Sequence, residues 1–188
     1  MPNNKVFNGA AIPLFTKITD GTQTLDISNG SAVTLDTNLY EIYIGNSYNV
    51  SALFQGVLIG SYADIRLITG SKATHIEAFV AAGGKANVYL YEGATYLTAG
   101  TALTIYNLNG NSTNTTVNQA LRSPIVLLNG SLLYQTLLPA GKGTIVVGGK
   151  TSSTSQTILK NSTDYLYRVQ NTSNIIGNIS IEFNWYEI

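Results

Sequence analysis

Cysteine is absent from the 188-residue chain, so neither a disulfide staple nor a cysteine metal site is available to it. Histidine occurs once, at His75, which excludes paired-histidine metal motifs and leaves any Ser-His-Asp triad resting on that residue. Charge is scarce as well. Charged residues make up 11% of the chain, ten basic and ten acidic, against a usual fraction of roughly a quarter. Between Glu92 and Arg122 there is no charge at all, and no basic stripe exists to neutralise a phosphate backbone, so no nucleic-acid partner is expected. No apolar run approaches the ~20 residues of a membrane span. The opening MPNNKVFNGAAIPLFTK lacks the apolar centre and small-residue cleavage pattern of a signal peptide, so the expectation is a soluble chain made in the cytoplasm, with no membrane partner.

What is present is alternation. In NISIEFNWYEI, Ile179, Ile181, Phe183 and Trp185 point one way and Ser180, Glu182, Asn184 and Tyr186 the other, the pattern of a strand with one face on a core. YLYRVQ repeats it, with Tyr165, Tyr167 and Val169 opposite Leu166, Arg168 and Gln170. Further strands are predicted at 24–27, 39–44, 50–59, 63–68, 75–81, 86–92, 102–106, 131–138 and 144–147. Turn signals bound them: Asn-Gly at 29, 109 and 129, Gly-Gly at 83 and 148, Gly-Asn at 45. Helix signals are nearly missing; STNTTVNQALRS is given a turn or two at most. Many short strands at this spacing predict an all-β fold, an antiparallel, jelly-roll-like β-sandwich over residues 36–188. Residues 1–35, with Pro2, Pro13, TDG at 19–21 and only short apolar fragments, are predicted to form an extended N-terminal arm able to add to a neighbour's sheet edge. The cancelled net charge suits association with copies of itself or with a partner.

The chemical motifs are weak. GTIVVGGKT at 143–151 has Gly143 and Gly148 at phosphate-loop separation, but Gly149 displaces Lys150 by one residue, and strand-turn-strand is the ordinary reading. No G-x-S-x-G elbow accompanies His75, which is expected on a strand face or a turn. Glu41, Glu77, Glu92, Glu182 and Glu187 fall in or beside alternating strands; a pair of them held about 5 to 10 Å apart would be needed for glycoside hydrolysis. Asp20 and Asp26 miss the calcium-loop spacing and read as turn residues. Eight Asn-x-Ser/Thr sites, among them Asn111, Asn114 and Asn161, follow from the Asn/Ser/Thr-rich composition and matter only in a secretory route. Of twelve tyrosines, most are expected to close the sandwich interior, with Tyr62, Tyr96 and Tyr106 the better surface candidates. No catalytic, cofactor-binding or metal-binding residue is assigned, and the chain is not expected to be an enzyme.

The order of motifs resembles a family of small tailed-bacteriophage virion proteins, the head decoration or auxiliary capsid proteins. The resemblance is carried by LYEIYIGNSYNVS at 39–51, IRLITGSKATHIEAFV at 65–80 and VYLYEGATYLTAGTALTIYNLNGNST at 88–113, and most of all by TILKNSTDYLYRVQNTSN and the terminal FNWYEI. TDGTQTLDISNG is similar to the strap that precedes such domains. NLNGNS at 107–112 stands where the family tends to carry an arginine-bearing run, and Ile188 where it ends on a polar residue or histidine. The resemblance implies a structural protein on the outer capsid surface of a virion, assembled in the host cytoplasm. It further implies binding to the major capsid protein, and a homo-oligomer, with a trimer as one form. The alternative from another class is a receptor- or glycan-binding module of a fibre or tail, using loops 93–101 and 107–118. A third, glycosidase activity, requires the carboxylate pair.

Overall fold

The structure is a computed structural model that describes residues 37–139 and 157–188, together with the backbone of three short strands outside those ranges. In chain order the elements are β1 (Asp26–Ser28), β2 (Ser31–Val33), α1 (Thr37–Ile44), β3 (Ser47–Val57), β4 (Tyr62–Ile68), β5 (Thr74–Ala82) and β6 (Ala86–Glu92). Then come β7 (Thr95–Thr98), β8 (Thr101–Ala102), β9 (Tyr106–Asn107), β10 (Gln119–Arg122), β11 (Ile125–Leu128) and β12 (Ser131–Leu138). The chain closes with β13 (Val146–Gly148), β14 (Thr157–Leu159), β15 (Asp164–Asn171) and β16 (Gly177–Glu187).

Two antiparallel sheets make the body. The first runs β12-β6-β15-β4-β10-β8; the second runs β13-β5-β16-β3-β9, with β14 also paired to β5. Successive strands β3 and β4, β5 and β6, and β15 and β16 lie in opposite sheets, so each connection passes from one sheet to the other over an end of the sandwich, as in a jelly roll. The expected fold class is therefore the observed one. Alternation explains which side of each strand is dry. Tyr165, Tyr167 and Val169 of β15 and Ile65 and Leu67 of β4 face Ile179, Ile181, Phe183 and Trp185 of β16 and Val50 of β3 in a single core cluster. Phe183 meets Tyr167 edge-on at 5.0 Å, a ring contact that joins the middle strands of the two sheets.

Residues 93–130 are an excursion between β6 and β12, and they begin and end together, because Ser131 pairs with Glu92. The excursion wraps one side of the sandwich. Its β9 extends the second sheet beside β3, and its β10 extends the first beside β4. Gly130, at the β11–β12 turn, has φ +82, and an added Cβ would lie 2.3 Å from the Glu92 carbonyl oxygen, so the Asn-Gly turn signal at 129 reports a real steric demand.

Two expectations are corrected. LYEIYI at 39–44 is α1 and not a strand, and its end is a Schellman cap: Gly45, at φ +79, donates to the Ile42 carbonyl at 3.0 Å, and Asn46 N–H donates to Glu41 at 2.9 Å. The Gly-Asn at 45 is thus a helix stop, and in so short a segment the apolar residues fit either period. STNTTVNQALRS forms no helical turn; its C-terminal half is β10, held to β4. Predicted strand 102–106 is real only at its ends, as Thr101–Ala102 and Tyr106–Asn107. In the arm region the backbone of β1 pairs with β2 around the Asn-Gly at 29; the rest of residues 1–35 lies outside the described residues.

Replacing Phe183 with alanine, at a position only 1% exposed, is expected to cost about 3–5 kcal/mol, read as a lower midpoint in denaturant unfolding.

Candidate functional site

At the end of the sandwich where α1 stops, the polar residues of the excursion turn inward. The last carbonyls of a helix lack internal partners. Here the Asn109 side chain donates to Tyr43 O at 2.9 Å, Asn114 to Ile44 O at 3.2 Å and Asn107 to Gly45 O at 2.8 Å. The uncharged loop 107–118 is in this way a cap for α1. Deeper in, the Glu187 carboxylate is 0% exposed and has no cationic partner among the described ion pairs. It accepts from the Thr116 hydroxyl, from Val117 N–H at 3.1 Å and from the Trp185 indole at 3.1 Å. Its charge adds to burial in pushing the Tyr48 hydroxyl's pKa up. Asn118 completes the seam, accepting from Gly70 N–H at 2.8 Å and donating to Thr74 Oγ1 at 2.9 Å.

His75 lies on the outer face of β5, as a strand-face histidine should. Its ring stacks on Tyr186 at 4.5 Å, with Nδ1 2.9 Å from the Tyr186 hydroxyl oxygen. Burial lowers its pKa, partly opposed by the charge of Glu41, the buried carboxylate of α1. Among the described residues no serine is hydrogen-bonded to the His75 ring. The other carboxylates are dispersed. Glu92 holds Lys160 at 2.6 Å, a hydrogen bond that draws its pKa down, and also accepts from Tyr165. Glu77 and Glu182 are diagonal neighbours on the outer face of β5 and β16, a spacing of about 7–8 Å between backbones. They stand on an open sheet face, where Glu182 accepts from Asn49 at 3.0 Å. Of GTIVVGGKT, Val146–Gly148 is strand paired to β5; Gly143, Gly149 and Lys150 lie outside the described residues, as does Asp20. Asp26 opens β1 and pairs with Val33. Among the described residues no group of three His, Cys, Asp or Glu is placed to hold a metal. Nor is any described helix long and apolar enough to cross a membrane.

A cavity of about 260 Å³ lies between the sheets, where Tyr134 of β12 and Leu159 of β14 meet Leu67, Leu90, Tyr167 and Phe183. Its described lining is chiefly apolar. Glu77 contributes to the wall, but strand alternation directs its side chain to the opposite face.

Two surfaces remain. One is apolar and follows the chain from β7 through β11 into the edge strand β12. Leu97, Ile125, Leu127, Leu128, Leu132, Leu133 and Leu137 are all exposed there, Leu97 by 68%. The other is the outer face of the first sheet, which carries tyrosines, amides and two internal ion pairs. Arg168 grips Asp64 through two bonds of 2.9 and 2.8 Å, and Arg66 grips Asp164 at 2.7 Å. For Arg168 burial is the largest single cause and opposes the charge, but the hydrogen bond and the charge of Asp64, with Tyr62 and Tyr91, together outweigh it, so the guanidinium pKa is raised; for Arg66 the Asp164 bond leads. The three tyrosines proposed for the surface divide. Tyr62 is 49% and Tyr106 64% exposed, whereas Tyr96 folds over Arg66, whose guanidinium is 4.5 Å from its ring, and donates to Tyr165 O at 3.3 Å. Burial pushes the Tyr96 hydroxyl's pKa far up. Tyr96 is therefore half-buried against its own sheet, as Tyr89 and Tyr91 are half-buried, and loop 107–118 spends three of its amides on the end of α1 and Gly45. The missed surface groups are Tyr89 and Tyr91, legible as alternate residues of VYLYE but assigned to the core in the sequence reading.

No protein-family model matches the chain, and no curated protein sequence does.

Glu187→Ala removes the acceptor for three donors in a dry seam and is expected to cost about 3 kcal/mol or more, measured by denaturant unfolding. For His75 the folded pKa lies below the unfolded value, so between the two the unfolded chain binds more protons. Stability is then full above pH ~6.5 and is lost as pH falls through that value towards the lower folded pKa. Thermal melts between about pH 7.5 and 5 are expected to show this decline, and His75→Gln to flatten it.

Proposed function

We propose that this chain is a virion structural protein that decorates a phage capsid by binding the major capsid protein, and that it acts by adhesion alone. The observation that supports this most is the exposed apolar strip on β7, β11 and β12. Seven leucine and isoleucine side chains there, at full burial worth roughly 1.5–3 kcal/mol each, face solvent on β7, on its partner β11 and on β12, which follows β11 in the chain. A patch of this kind marks a contact surface, and it belongs to an edge strand whose backbone can also pair with a partner. The resemblance of 39–51, 65–80, 88–113 and the C-terminal segments to head decoration proteins supports the same reading. A contact of a few kcal/mol per copy, repeated over a shell and strengthened by self-association into a homo-oligomer such as a trimer, suffices to stabilise the particle.

The reading has two tests. Leu127→Asp with Leu128→Asp should lower occupancy on capsids more than tenfold, judged by particle imaging and by co-sedimentation, while the unfolding midpoint stays near that of the parent. Deleting residues 1–35 should abolish loading; capsids loaded undiminished by either variant remove the corresponding contact.

A further inference from the structure

The outer face of the first sheet is built differently from the apolar strip, which it meets along β12. Register places its outward side chains in rows. One row reads Leu137, Asn87, Gln170, Tyr62 across β12, β6, β15 and β4; the next reads Gln135, Tyr89, Arg168, Asp64. At a strand spacing of ~4.8 Å a row is about 14 Å long, room for a short extended ligand. Tyr91 follows on β6. Its ring lies 5.9 Å from that of Tyr89 with only 23° between their planes, so the two share an orientation. Tyr62 is backed on one side by the Arg168 guanidinium, 4.3 Å from its ring centre, and is half exposed on the whole.

Amides and hydroxyls connect the rings. Asn87 donates to the Tyr89 hydroxyl at 3.1 Å, and Gln170 donates to Gly60 O at 3.2 Å and to the Tyr62 hydroxyl at 3.4 Å. Among the described residues the Gln135 side chain makes no hydrogen bond, and neither does the Asn87 side-chain oxygen, although both backbones belong to the ladder. The charges of the face are consumed internally, Arg168 by Asp64 and Arg66 by Asp164, which leaves no free charge to attract an ionic ligand. The far end is closed by Tyr96, next to Leu166, which is 0% exposed although its place in the alternation is outward.

Flat aromatic faces beside paired amide donors and acceptors, with the charge neutralised, match one ligand chemistry. The C–H faces of a pyranose ring stack on tyrosine, and its ring of hydroxyls both gives and takes hydrogen bonds from amides. We propose that the outer face of the β12-β6-β15-β4 sheet, centred on Tyr62, Tyr89, Tyr91 and Gln170, binds a neutral oligosaccharide. This site lies apart from loops 93–101 and 107–118, on the strands of the first sheet. The two surfaces meet along β12, where Leu137 borders Asn87, but the residues that test each are distinct: Leu127 and Leu128 for the shell contact, Tyr62, Tyr89 and Gln170 for this face.

The experiment uses the full chain on an array of neutral and acidic glycans, followed by calorimetric titration with neutral hexasaccharides of the glucan, mannan, xylan and chitin types. Binding to one or more neutral glycans is expected. It should weaken about tenfold or more in Tyr89→Ala and in Tyr62→Ala, and change little between about 0.05 and 0.5 M salt. Gln170→Ala removes only polar contacts and guards against loss of folding; it too should weaken binding, whereas Leu127→Asp with Leu128→Asp should not. Absence of neutral-glycan binding at millimolar ligand, binding confined to acidic glycans, or binding unaltered in all three face variants would overturn the proposal. None of these readings uses capsids, so they leave the shell contact to be judged on its own.

Discussion

Everything in this molecule depends on keeping one face of β15 and one face of β16 dry against each other. With no disulfide and few charges, the contact of Tyr165, Tyr167 and Val169 with Ile179, Ile181, Phe183 and Trp185 is what opposes the entropy of the chain. Each of these strands is central in its sheet, flanked on both sides, so its backbone groups are paired and its outer face is free to differ from the inner. The outer faces can therefore carry tyrosine, amide and ion pair without cost to the core. That separation allows a protein so poor in charge to place the charge it has with care: Asp64, Arg66, Asp164 and Arg168 all sit on one outer face and neutralise each other.

How much of this could be read beforehand depends on the range of the interaction. Strands β4, β5, β6, β12, β15 and β16 were legible within a residue or two, because period-two burial is a local pattern written in side chains. The helix at 37–44 was not. Its apolar residues fit both periods, and the decisive feature is the left-handed Gly45, which the same letters would equally supply to a turn. Loop 107–118 failed for the opposite reason. Its asparagines answer carbonyls of α1, and its Thr116 and Val117 answer Glu187, partners some seventy positions away in sequence that no local window contains. Tyr96 and Tyr89 exchanged roles for the same cause: exposure on a strand depends on what folds over it, and the chain that covers Arg66 comes from β7.

The two proposed contact surfaces show a comparable division. Neither was written as a motif. The apolar strip became visible only when β12 proved to be an edge, since SLLYQTLL reads equally well as a buried strand. The tyrosine-amide face became visible only with the register, which sets Asn87 beside Gln170 and Gln170 beside Tyr62. The groups that suggest chemistry when listed by type, the single histidine and five glutamates above all, are distributed among a stacking contact, a seam, an ion pair and an open sheet face.

Because Glu92 and Ser131 are cross-strand neighbours, the detour from 93 to 130 leaves the β6–β12 hairpin and returns to it at one point. The parent hairpin's alignment is consequently indifferent to how long or elaborate that detour is. The pairings of β9 with β3 and of β10 with β4, together with the Glu187 and α1 fastenings, tie it to the sandwich, so the segments between those ties can vary in length and surface while both sheets keep their register.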